Sequence, residues 1–461
     1  MNHILALILM PLLVLLPATP AHAFIFGGVS IKDEKEMGQK FDAMVHAHFP
    51  TVEDPEVVQY VNGILDRLVK VTPPQPFTFK GTVIRHNALN AFAVPGGYVF
   101  VFTGMVMNVE REEDLAGVLA HELAHVTQRH VAQRLERAQY LTLGTLLLAI
   151  AGIALGGSSG GAIAATSLGA GQSAMLNYSR LDETEADHQG LQYLTKAGYP
   201  PMGMVGGFRV LRQKSWMSGM SIPTYLSTHP DLGERINGLV ARIQHLPRAV
   251  VDRTTDNTRF QRVKTLLWAR YGDAQAALQR FSKNDALSAM GRGMVLARQN
   301  QIPKASQAFE QAIALAPNDP LILREAGTFH YRKGDLQRSE TCLQKAMQLD
   351  RKDYMASFYY ARLLDETGRG REAARYYQDV LRLIPQDADV HEAYAKSLGK
   401  AGNTAEAYLH MALAAIYANN KKLAERYVEQ ARAQYKNSRD KRKLDRLEVV
   451  YKERKEMWEG K

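Results

Sequence analysis

The second half of the chain repeats itself with a period of 34 residues. Gly293 lies 34 positions before Gly327, and Pro317 lies 68 positions before Pro385. A unit of this length cannot bury its apolar face alone, so neighbouring units must stack. Small residues let paired helices approach, aromatic residues fill the space between them, and proline closes the second helix. The period therefore predicts a stack of helix pairs, an α-solenoid.

The recurring positions resemble those of tetratricopeptide repeats. Ala305, Phe309, Ala312 and Pro317 of one unit illustrate the pattern. Three units are clear between residues 284 and 389, a degenerate helix pair precedes them, and helices of slipped register follow. We expect the last twenty residues or so to form a basic tail or a capping helix. Such a stack offers a concave surface for extended protein segments, which is a binding function.

The first 23 residues have the pattern of a secretory signal peptide. An apolar core from Ile4 to Leu16 precedes Ala21 and Ala23, which give a small-residue cleavage pattern. The core is short for a membrane anchor, and prolines interrupt it. We therefore expect cleavage before Phe24 and export to an oxidising compartment.

Composition and charge exclude several classes of protein. With 46% hydrophobic and 23% charged residues, the chain has the composition of globular protein. The net charge of +10 does not indicate nucleic-acid binding, because basic residues alternate with acidic ones instead of forming a block. The single cysteine, Cys342, allows no internal disulfide, so packing or a metal must hold the fold.

The segment before the histidine-rich stretch predicts one helix and a small sheet. Asp54 is a candidate N-cap for apolar residues that recur at helical spacing over 57–68. Residues 77–84 and 90–105 are rich in aromatic and β-branched types, around a Pro-Gly-Gly turn. We expect a small antiparallel sheet there, so the fold class is mainly α with an α+β first half. The stretch 92–94 is a plausible edge strand for β-addition by substrate.

His121, Glu122 and His125 form the motif HExxH inside a run that otherwise predicts a buried helix. Successive residues turn about 100° around an α-helix, so the two histidines lie about 40° apart on one face. Neutral imidazoles bind Zn²⁺, the ion lowers the pKa of a water molecule, and the adjacent carboxylate takes its proton. The alternative is a structural helix with core histidines. His130 lies about 140° from His125 around the helix and is interpreted as a surface histidine.

A catalytic zinc site needs a third protein ligand. Glu183 and Asp187 stand four residues apart, on one face of a helix predicted within residues 177–194. Two like charges at this spacing destabilise a free helix, and a divalent cation would reverse that effect. We expect Glu183 to bind the metal, and Asp187 to accept the outer N–H of a ligand histidine or to move protons. Glu185 and His188 point away from this face.

Three stretches in this order, NAFAVPGG, HELAH and SRLDETEAD, resemble the zinc metalloproteases of the family that contains the CAAX prenyl protease and the HtpX heat-shock protease. The resemblance spans about residues 30–242. It places the third ligand of the family on Glu183 and its aspartate on Asp187. It implies an endopeptidase with one Zn²⁺ per chain, in which Glu122 is the general base and Asp187 is a further catalytic group.

The stretch YLSTHPDLGERI is similar to the His-Pro segment of the same family. His229 matches a histidine that caps the zinc in secreted members and holds the enzyme latent. Arg235 matches an arginine near the catalytic centre. Four protein ligands would close the site to water, so a contact from His229 implies a switch. By composition alone, His229 is a loop histidine before a proline.

An apolar tract with several glycines, residues 141–173, separates the two segments that carry the ligand motifs. Its first part, 141–155, is too short to predict a transmembrane helix. We expect two helices rich in small residues, packed as a hairpin against the catalytic helices. Peripheral contact of this tract with a membrane surface, or with an apolar substrate, is a further hypothesis.

We therefore expect a signal peptide over residues 1–23, a zinc metalloprotease domain over 24–255 and a tetratricopeptide repeat domain over 256–461. This order resembles periplasmic proteases of outer-membrane quality control. The resemblance implies removal of unfolded or misassembled outer-membrane proteins and help in their assembly, with repeats that dock on the barrel-assembly machinery or its clients. A second hypothesis is a chaperone or scaffold with a latent or structural zinc site.

Overall fold

The computed structural model describes most of the chain: residues 28–137, 178–217, 225, 228–435 and 441–459. The predicted signal peptide, residues 1–23, and the apolar tract, residues 141–173, lie outside the described residues. Of the helices that are described, none is both long enough and apolar enough to cross a membrane.

The first half of the chain forms helices around one small sheet. Its elements, in chain order, are α1 (Ile31–His48), α2 (Pro55–Val69), β1 (Lys80–Ile84), β2 (Ala91–Val94), β3 (Tyr98–Phe102), α3 (Thr103–Asn108), α4 (Glu112–Thr127), α5 (His130–Arg137), α6 (Arg180–Lys196), α7 (Met202–Met217), α8 (Leu232–Gln244) and α9 (Arg248–Val251). The predicted cap of α2 is confirmed, because the Asp54 carboxylate accepts a hydrogen bond from the backbone N–H of Glu56.

The sheet is mixed, with the strand order β1-β3-β2. Strands β2 and β3 form the predicted antiparallel hairpin, whereas β1 runs parallel to β3 and pairs Val83 with Val101. The prediction of a purely antiparallel sheet is therefore wrong for this pair. The connection over residues 85–90 passes the end of β3, where Gly104 leaves room for it: a Cβ there would lie 2.2 Å from the Asn87 carbonyl. The aromatic and β-branched composition of these residues indicates strands, but it does not indicate how the connection between two strands runs.

Both faces of the sheet are covered because side chains alternate along its strands. On β3, Val99 and Val101 belong to the core shared with α2 and α4. Phe100 points the other way and packs on Phe41 of α1, with ring centroids 5.3 Å apart. The sheet is thus held between α1 on one side and the helix α4, which carries HExxH, on the other.

Helix α4 lies in close contact with α6 and α7. A Cβ on Gly117 of α4 would be 2.4 Å from Met204 Cα, and one on Gly203 of α7 would be 2.2 Å from the Glu113 carbonyl oxygen. Glycine at these positions lets the two backbones touch. The HExxH helix is therefore fixed in place by direct backbone packing on its neighbour.

The second half consists of helix pairs. The elements are α10 (Thr258–Tyr271), α11 (Ala274–Arg280), α12 (Ala286–Arg298), α13 (Ile302–Leu315), α14 (Pro320–Arg332), α15 (Leu336–Leu349), α16 (Tyr354–Glu366), α17 (Gly370–Leu383), α18 (Ala388–Lys400), α19 (Thr404–Tyr417), α20 (Lys421–Tyr435) and α21 (Arg442–Trp458). The predicted fold class, mainly α with an α-solenoid after an α+β protease half, is confirmed. The division at residues 255 and 256 stays a prediction.

The periodic residues have the packing roles that the repeat pattern predicts. A Cβ on Gly293 of α12 would lie 2.9 Å from the ring of Phe309 on α13, and one on Gly327 of α14 would lie 2.7 Å from Leu343 on α15. Each glycine therefore admits a large apolar side chain from its partner helix. Pro317 follows the end of α13.

A buried group of charges joins the two halves. The Asp54 carboxylate, which caps α2, accepts hydrogen bonds from Arg270 of α10 at 2.6 Å and from Arg324 of α14 at 2.8 Å. Arg324 also contacts Glu325 and Asp353. Arg324 and Asp54 are each 1% exposed, so their charges depend on one another.

Candidate metal centre

Helix α4 carries the HExxH motif into the interior. His121, Glu122 and His125 are all buried, at 0–1% exposure. The helix is apolar on most of its circumference because strand β2 and helices α2, α6 and α7 surround it. Three ionisable groups in such a place need partners. The partners come from α6 and from the segment before α8.

Four side chains bring their donor atoms to one point. His121, His125, Glu183 and His229 each offer one atom, and these atoms lie within 4.8 Å of one another. The Nε2 atoms of the two α4 histidines are 3.0 Å apart, and Glu183 Oε1 lies 3.5 Å from His125 Nε2. The Nδ1 atom of His229 lies 2.9 Å from Glu183 Oε1. Residues that are distant in sequence therefore converge as the spacing and the resemblance predict.

Asp187 and Arg235 stand directly behind the donor atoms. Asp187 Oδ1 lies 3.0 Å from Nδ1 of His121, on the far side of the ring from the cluster. Arg235 donates from Nη2 to Asp187 Oδ1 at 2.7 Å and from Nε to Oδ2 at 2.9 Å. Its Nη1 atom pairs with Glu183 Oε2. Both residues thus orient the groups that face the cluster, and Arg235 places one positive charge beside two carboxylates.

Glu122 is buried beside the cluster. One of its oxygens, Oε1, has no hydrogen-bond partner among the described residues and lies 3.6 Å from Nε2 of His229. Burial raises the pKa of Glu122, although the charges of His229 and His121 oppose the rise. A buried carboxylate with a free oxygen and a raised pKa has the properties of a proton acceptor for a reacting water molecule.

His130 was predicted to be a surface histidine, and this prediction is wrong. It is 2% exposed, and its Nδ1 atom lies 2.9 Å from Nδ1 of His125. The helical spacing does not extend to it, because α4 ends at Thr127 and Arg129 adopts a left-handed conformation with φ of 57°. A positive φ on arginine cannot be recognised from the sequence. Glu185 and His188 are exposed, as expected.

Two tyrosines of the site escaped the sequence analysis. Tyr178 stacks on His125 with ring centroids 3.8 Å apart, and Tyr225 stacks on His229 at 4.3 Å. Burial, then the charge of Glu122, raises the pKa of both hydroxyl groups, so both tyrosines are neutral. Stacked rings restrict the rotation of the imidazoles. Only the proximity of Tyr178 to the acidic stretch could have indicated this role.

The charges in the cluster are unevenly distributed. Burial alone would raise the pKa of Glu183, yet His229 and Arg235 hold it well below its usual value. Burial, reinforced by His121, holds the pKa of His125 well below its usual value. Burial and Arg235 would also lower the pKa of His121, but hydrogen bonds to Asp187 and Glu183 raise it to about 9. The ionised Glu183 and the neutral His125 are thus in the state that binds a metal ion, whereas His121 must release a proton when a metal ion binds.

The residues fit a divalent cation. Nitrogen and carboxylate donors are those that zinc prefers, and the two Nε2 atoms lie 3.0 Å apart beside the Glu183 carboxylate. The unpaired Glu122 Oε1 borders the same space. The described part of the chain thus contains a His/Glu cluster able to hold a metal ion.

This site, on a helix with HExxH and a glutamate from a second helix, defines a metallopeptidase. Residues 53–243 match the profile of peptidase family M48, and residues 269–320 and 330–397 match profiles of tetratricopeptide repeats. The chain therefore carries a peptidase M48 domain followed by tetratricopeptide repeats.

Proteins similar over much of the chain have related descriptions. A candidate β-barrel assembly-enhancing protease of Vibrio cholerae is 28% identical over 397 residues, which are 82% of this chain and 80% of that protein. The β-barrel assembly-enhancing protease of Escherichia coli is 30% identical, over 66% of this chain and 62% of its own length. The mitochondrial metalloendopeptidase OMA1 of Schizosaccharomyces pombe is 31% identical over half of this chain and 66% of its own.

Proposed function

We propose that the protein is a zinc-dependent endopeptidase of the periplasm that acts on unfolded or misassembled outer-membrane proteins. The observation that carries the peptidase proposal is the convergence of His121, His125 and Glu183 beside the buried, partly unpaired Glu122. The name β-barrel assembly-enhancing protease, which two similar proteins carry, supports the class of substrate, and the predicted signal peptide over residues 1–23 supports the compartment.

The residues of the chain divide the chemistry between them. A zinc ion held by His121, His125 and Glu183 would supply Lewis-acid polarisation of the scissile carbonyl and of the attacking water. Glu122 accepts the proton of that water and returns it to the leaving amine. Asp187 fixes the ring of His121 through Nδ1, and Arg235 holds Asp187 in place.

His229 has the position of a removable fourth ligand. Its Nδ1 atom is 3.3 Å from His121 Nε2, and its ring covers the side of the cluster on which Glu122 lies. Four protein donors would leave no position for substrate, so in this proposal the four-donor arrangement is the latent state of the enzyme. The segment that carries His229 must move before a peptide can bind.

The sheet and the repeats supply binding surfaces. Strand β2 is an edge strand of the sheet and packs against α4, so an extended substrate can add to it. The repeats bind the client or the barrel-assembly machinery through the surface of the helix stack. Among the similar proteins, the name β-barrel assembly-enhancing protease supports this role.

The substitution Glu122→Gln tests the peptidase proposal. It keeps the size of the side chain and leaves all four donor atoms of the cluster intact, so the variant should bind zinc like the wild type. Loss of the general base should reduce hydrolysis of an unfolded outer-membrane barrel protein by about 10²–10⁴-fold. Unchanged clearance of the client by this variant would favour the scaffold hypothesis instead.

The same assay with His229→Ala tests the latch. Removal of the imidazole opens one position of the site, so the variant should retain zinc and cleave the unfolded protein faster than the wild type. A matched control is His245→Ala, because His245 lies at the exposed end of α8, outside the cluster. Loss of hydrolysis in His229→Ala with zinc still bound would contradict the latch and assign His229 to the reaction.

A further inference from the structure

His130 occupies a place beside the cluster that nothing in the peptidase mechanism uses. Its Nδ1 atom lies 2.9 Å from Nδ1 of His125, and its Nε2 atom lies 3.5 Å from Oε2 of Glu185. We propose that His130 is a positioning residue, which fixes the ring orientation and the tautomer of His125 through a chain from His125 to His130 to Glu185. This inference rests on the proposed metal site.

The positions of the ring atoms determine where the protons lie. Nε2 of His125 faces the cluster, so it must keep its lone pair for a metal ion, and the ring proton is on Nδ1. Nδ1 of His125 then donates to Nδ1 of His130. The proton of His130 is therefore on Nε2, which faces the carboxylate of Glu185. A single set of tautomers satisfies every member of the chain, and it is the set that metal binding requires.

The two ligand histidines of α4 thus have different supports. His121 Nδ1 faces the carboxylate of Asp187 at 3.0 Å, which is the common support of a ligand histidine. No carboxylate of the described residues contacts Nδ1 of His125, and the imidazole of His130 takes that place. The imidazole passes the interaction on to Glu185, which is half exposed.

The backbone delivers His130 to this position by a strained turn. Arg129 has a φ of 57°, a left-handed conformation that non-glycine residues rarely adopt. Its side chain donates from Nε to Glu34 Oε1 at 2.7 Å and from Nη2 to the Val29 carbonyl oxygen at 2.6 Å. Glu34 is buried on α1. The segment around α1 therefore holds the turn that brings His130 onto His125.

The stacked Tyr178 completes the support of His125. Its ring covers one face of the imidazole at 3.8 Å, and the guanidinium of Arg134, a residue of α5, lies 4.4 Å from the centre of the Tyr178 ring. Tyr178 thus contacts the face of the His125 ring, and His130 contacts its outer edge. A 180° flip of the ring about the Cβ–Cγ bond would preserve the stacking, and the contact at Nδ1 selects the orientation in which Nε2 faces the cluster.

The test compares His130→Phe with His130→Asn. Phenylalanine keeps the bulk and removes the acceptor, whereas the Oδ1 atom of asparagine is close to the position of the imidazole Nδ1 and can accept from His125. Zinc affinity, measured by competition with a chromogenic chelator, should fall about 10–100-fold in His130→Phe. It should recover most of that loss in His130→Asn. The absorption bands of cobalt-loaded protein should shift in the phenylalanine variant and return toward those of the wild type in the asparagine variant.

Two further variants keep the proposal falsifiable. Glu185→Ala changes a half-exposed residue, so the fold should tolerate it, and zinc affinity should fall several-fold. His188→Phe removes an exposed histidine of the same helix and should leave the affinity unchanged. Wild-type affinity and cobalt spectra in both His130→Phe and Glu185→Ala would overturn the proposal. If His130→Phe does not fold, Glu185→Ala alone decides.

Failure of this inference is distinguishable from failure of the proposed function. A wild-type chain that binds no zinc refutes the metal site itself. A wild-type chain that binds zinc and cleaves protein, with equal zinc affinity in His130→Phe, leaves the peptidase intact and refutes only the role of His130.

Discussion

Charged side chains are buried in this molecule where the surrounding residues pair them. Asp187 and Arg235 are each less than one tenth exposed, and both charges are satisfied by a bidentate contact. Removing one partner would leave the other as an isolated charge in the interior, at a cost of several kcal/mol. The same reasoning explains why the donor cluster needs a cation as well as Arg235. Glu183, in the cluster, and Asp187, beside it, are two carboxylates with lowered pKa values, and Arg235 supplies one positive charge to both.

Lys264 is a buried charge of a different kind, since no carboxylate in the described part of the chain forms an ion pair with it. The side chain is 2% exposed and its ammonium group donates to the Val109 carbonyl oxygen. Burial, then the charge of Arg280, lowers the pKa of Lys264 to about 8. The folded state therefore releases a proton that the unfolded state still binds at the same pH.

The lowered pKa of Lys264 should be detectable in the pH dependence of the free energy of unfolding. Between pH 8 and the ordinary lysine pKa near 10.5, the unfolded chain binds more protons, so the stability of the wild type rises with pH. The lowered pKa corresponds to a rise of about 3 kcal/mol in the free energy of unfolding of the wild type across this pH range. The rise is measured relative to Lys264→Met, which has no titrating side chain at this position. Urea unfolding of both proteins at pH 7.5, 9 and 10.5 measures it. A constant difference between the two proteins across this range would contradict the lowered pKa.

Single residues were predictable where local spacing decides their position. His121, Glu122 and His125 share one helix, so the geometry of the α-helix alone brings them together. The role of Glu183 required the chemical argument that a zinc site needs another ligand. His130 was not predictable, because its position depends on the left-handed turn at Arg129.

Helix α4 depends on glycines for its position. Gly117 lies one helical turn before His121, where α7 passes so close that a Cβ would lie 2.4 Å from Met204 Cα. Backbone atoms cannot move aside as a flexible side chain can. The close packing of α4 on α7 therefore fixes the position of α4, and with it the positions of its two histidines in the cluster.

The substitution Gly117→Ala should destabilise the protein by about 1–3 kcal/mol through overpacking. A matched control is Gly63→Ala on α2, because a Cβ there meets nothing within 4 Å. The control should be neutral or stabilise by up to about 1 kcal/mol, since alanine favours the helix. Denaturant unfolding of both variants measures the effect. Equal stability of the two would show that α4 and α7 are not in close contact.

Helices and strands were predictable where a periodic pattern indicated them. Which strands pair with one another, and in which direction, was less predictable. The pattern over 57–68 and the turn at Gly96 and Gly97 gave α2 and the β2–β3 hairpin. The parallel pairing of β1 with β3 depends on the crossing of residues 85–90, which leaves no periodic signal.

The two halves share one apolar core, and an ion network around Asp54 also joins them. This residue caps α2 of the peptidase half and pairs with Arg270 and Arg324 of the repeats. Tyr354 adds a hydrogen bond from its hydroxyl to the Glu53 carbonyl oxygen at 2.6 Å. The repeats therefore contact the peptidase half through buried charges that are paired across the boundary.

The substitution Arg324→Met tests this connection. It leaves Asp353 and part of the charge of Asp54 uncompensated in the interior, so it should cost about 3–5 kcal/mol of folding stability. The control Arg338→Met removes an exposed pair with Glu310 and should cost less than about 1 kcal/mol. Guanidinium unfolding, followed by circular dichroism, compares the variants. Equal midpoints would mean that the network does not connect the two halves.

The architecture of the molecule was predictable from its sequence, whereas the contact between its halves was not. The period of 34 residues determines the helix pairs, because each unit contacts only its neighbours. The arginines of the interface lie among many other basic residues in the same helices. Nothing in the sequence distinguishes Arg324, which is buried, from Arg338, which is exposed.

The account depends most on the metal ion itself, and anomalous diffraction at the zinc edge of zinc-loaded crystals tests it directly. We predict one strong peak per chain, at about 2.0–2.2 Å from Nε2 of His121, Nε2 of His125 and a carboxylate oxygen of Glu183. No peak in fully loaded protein, or a peak away from these three residues, would contradict the account.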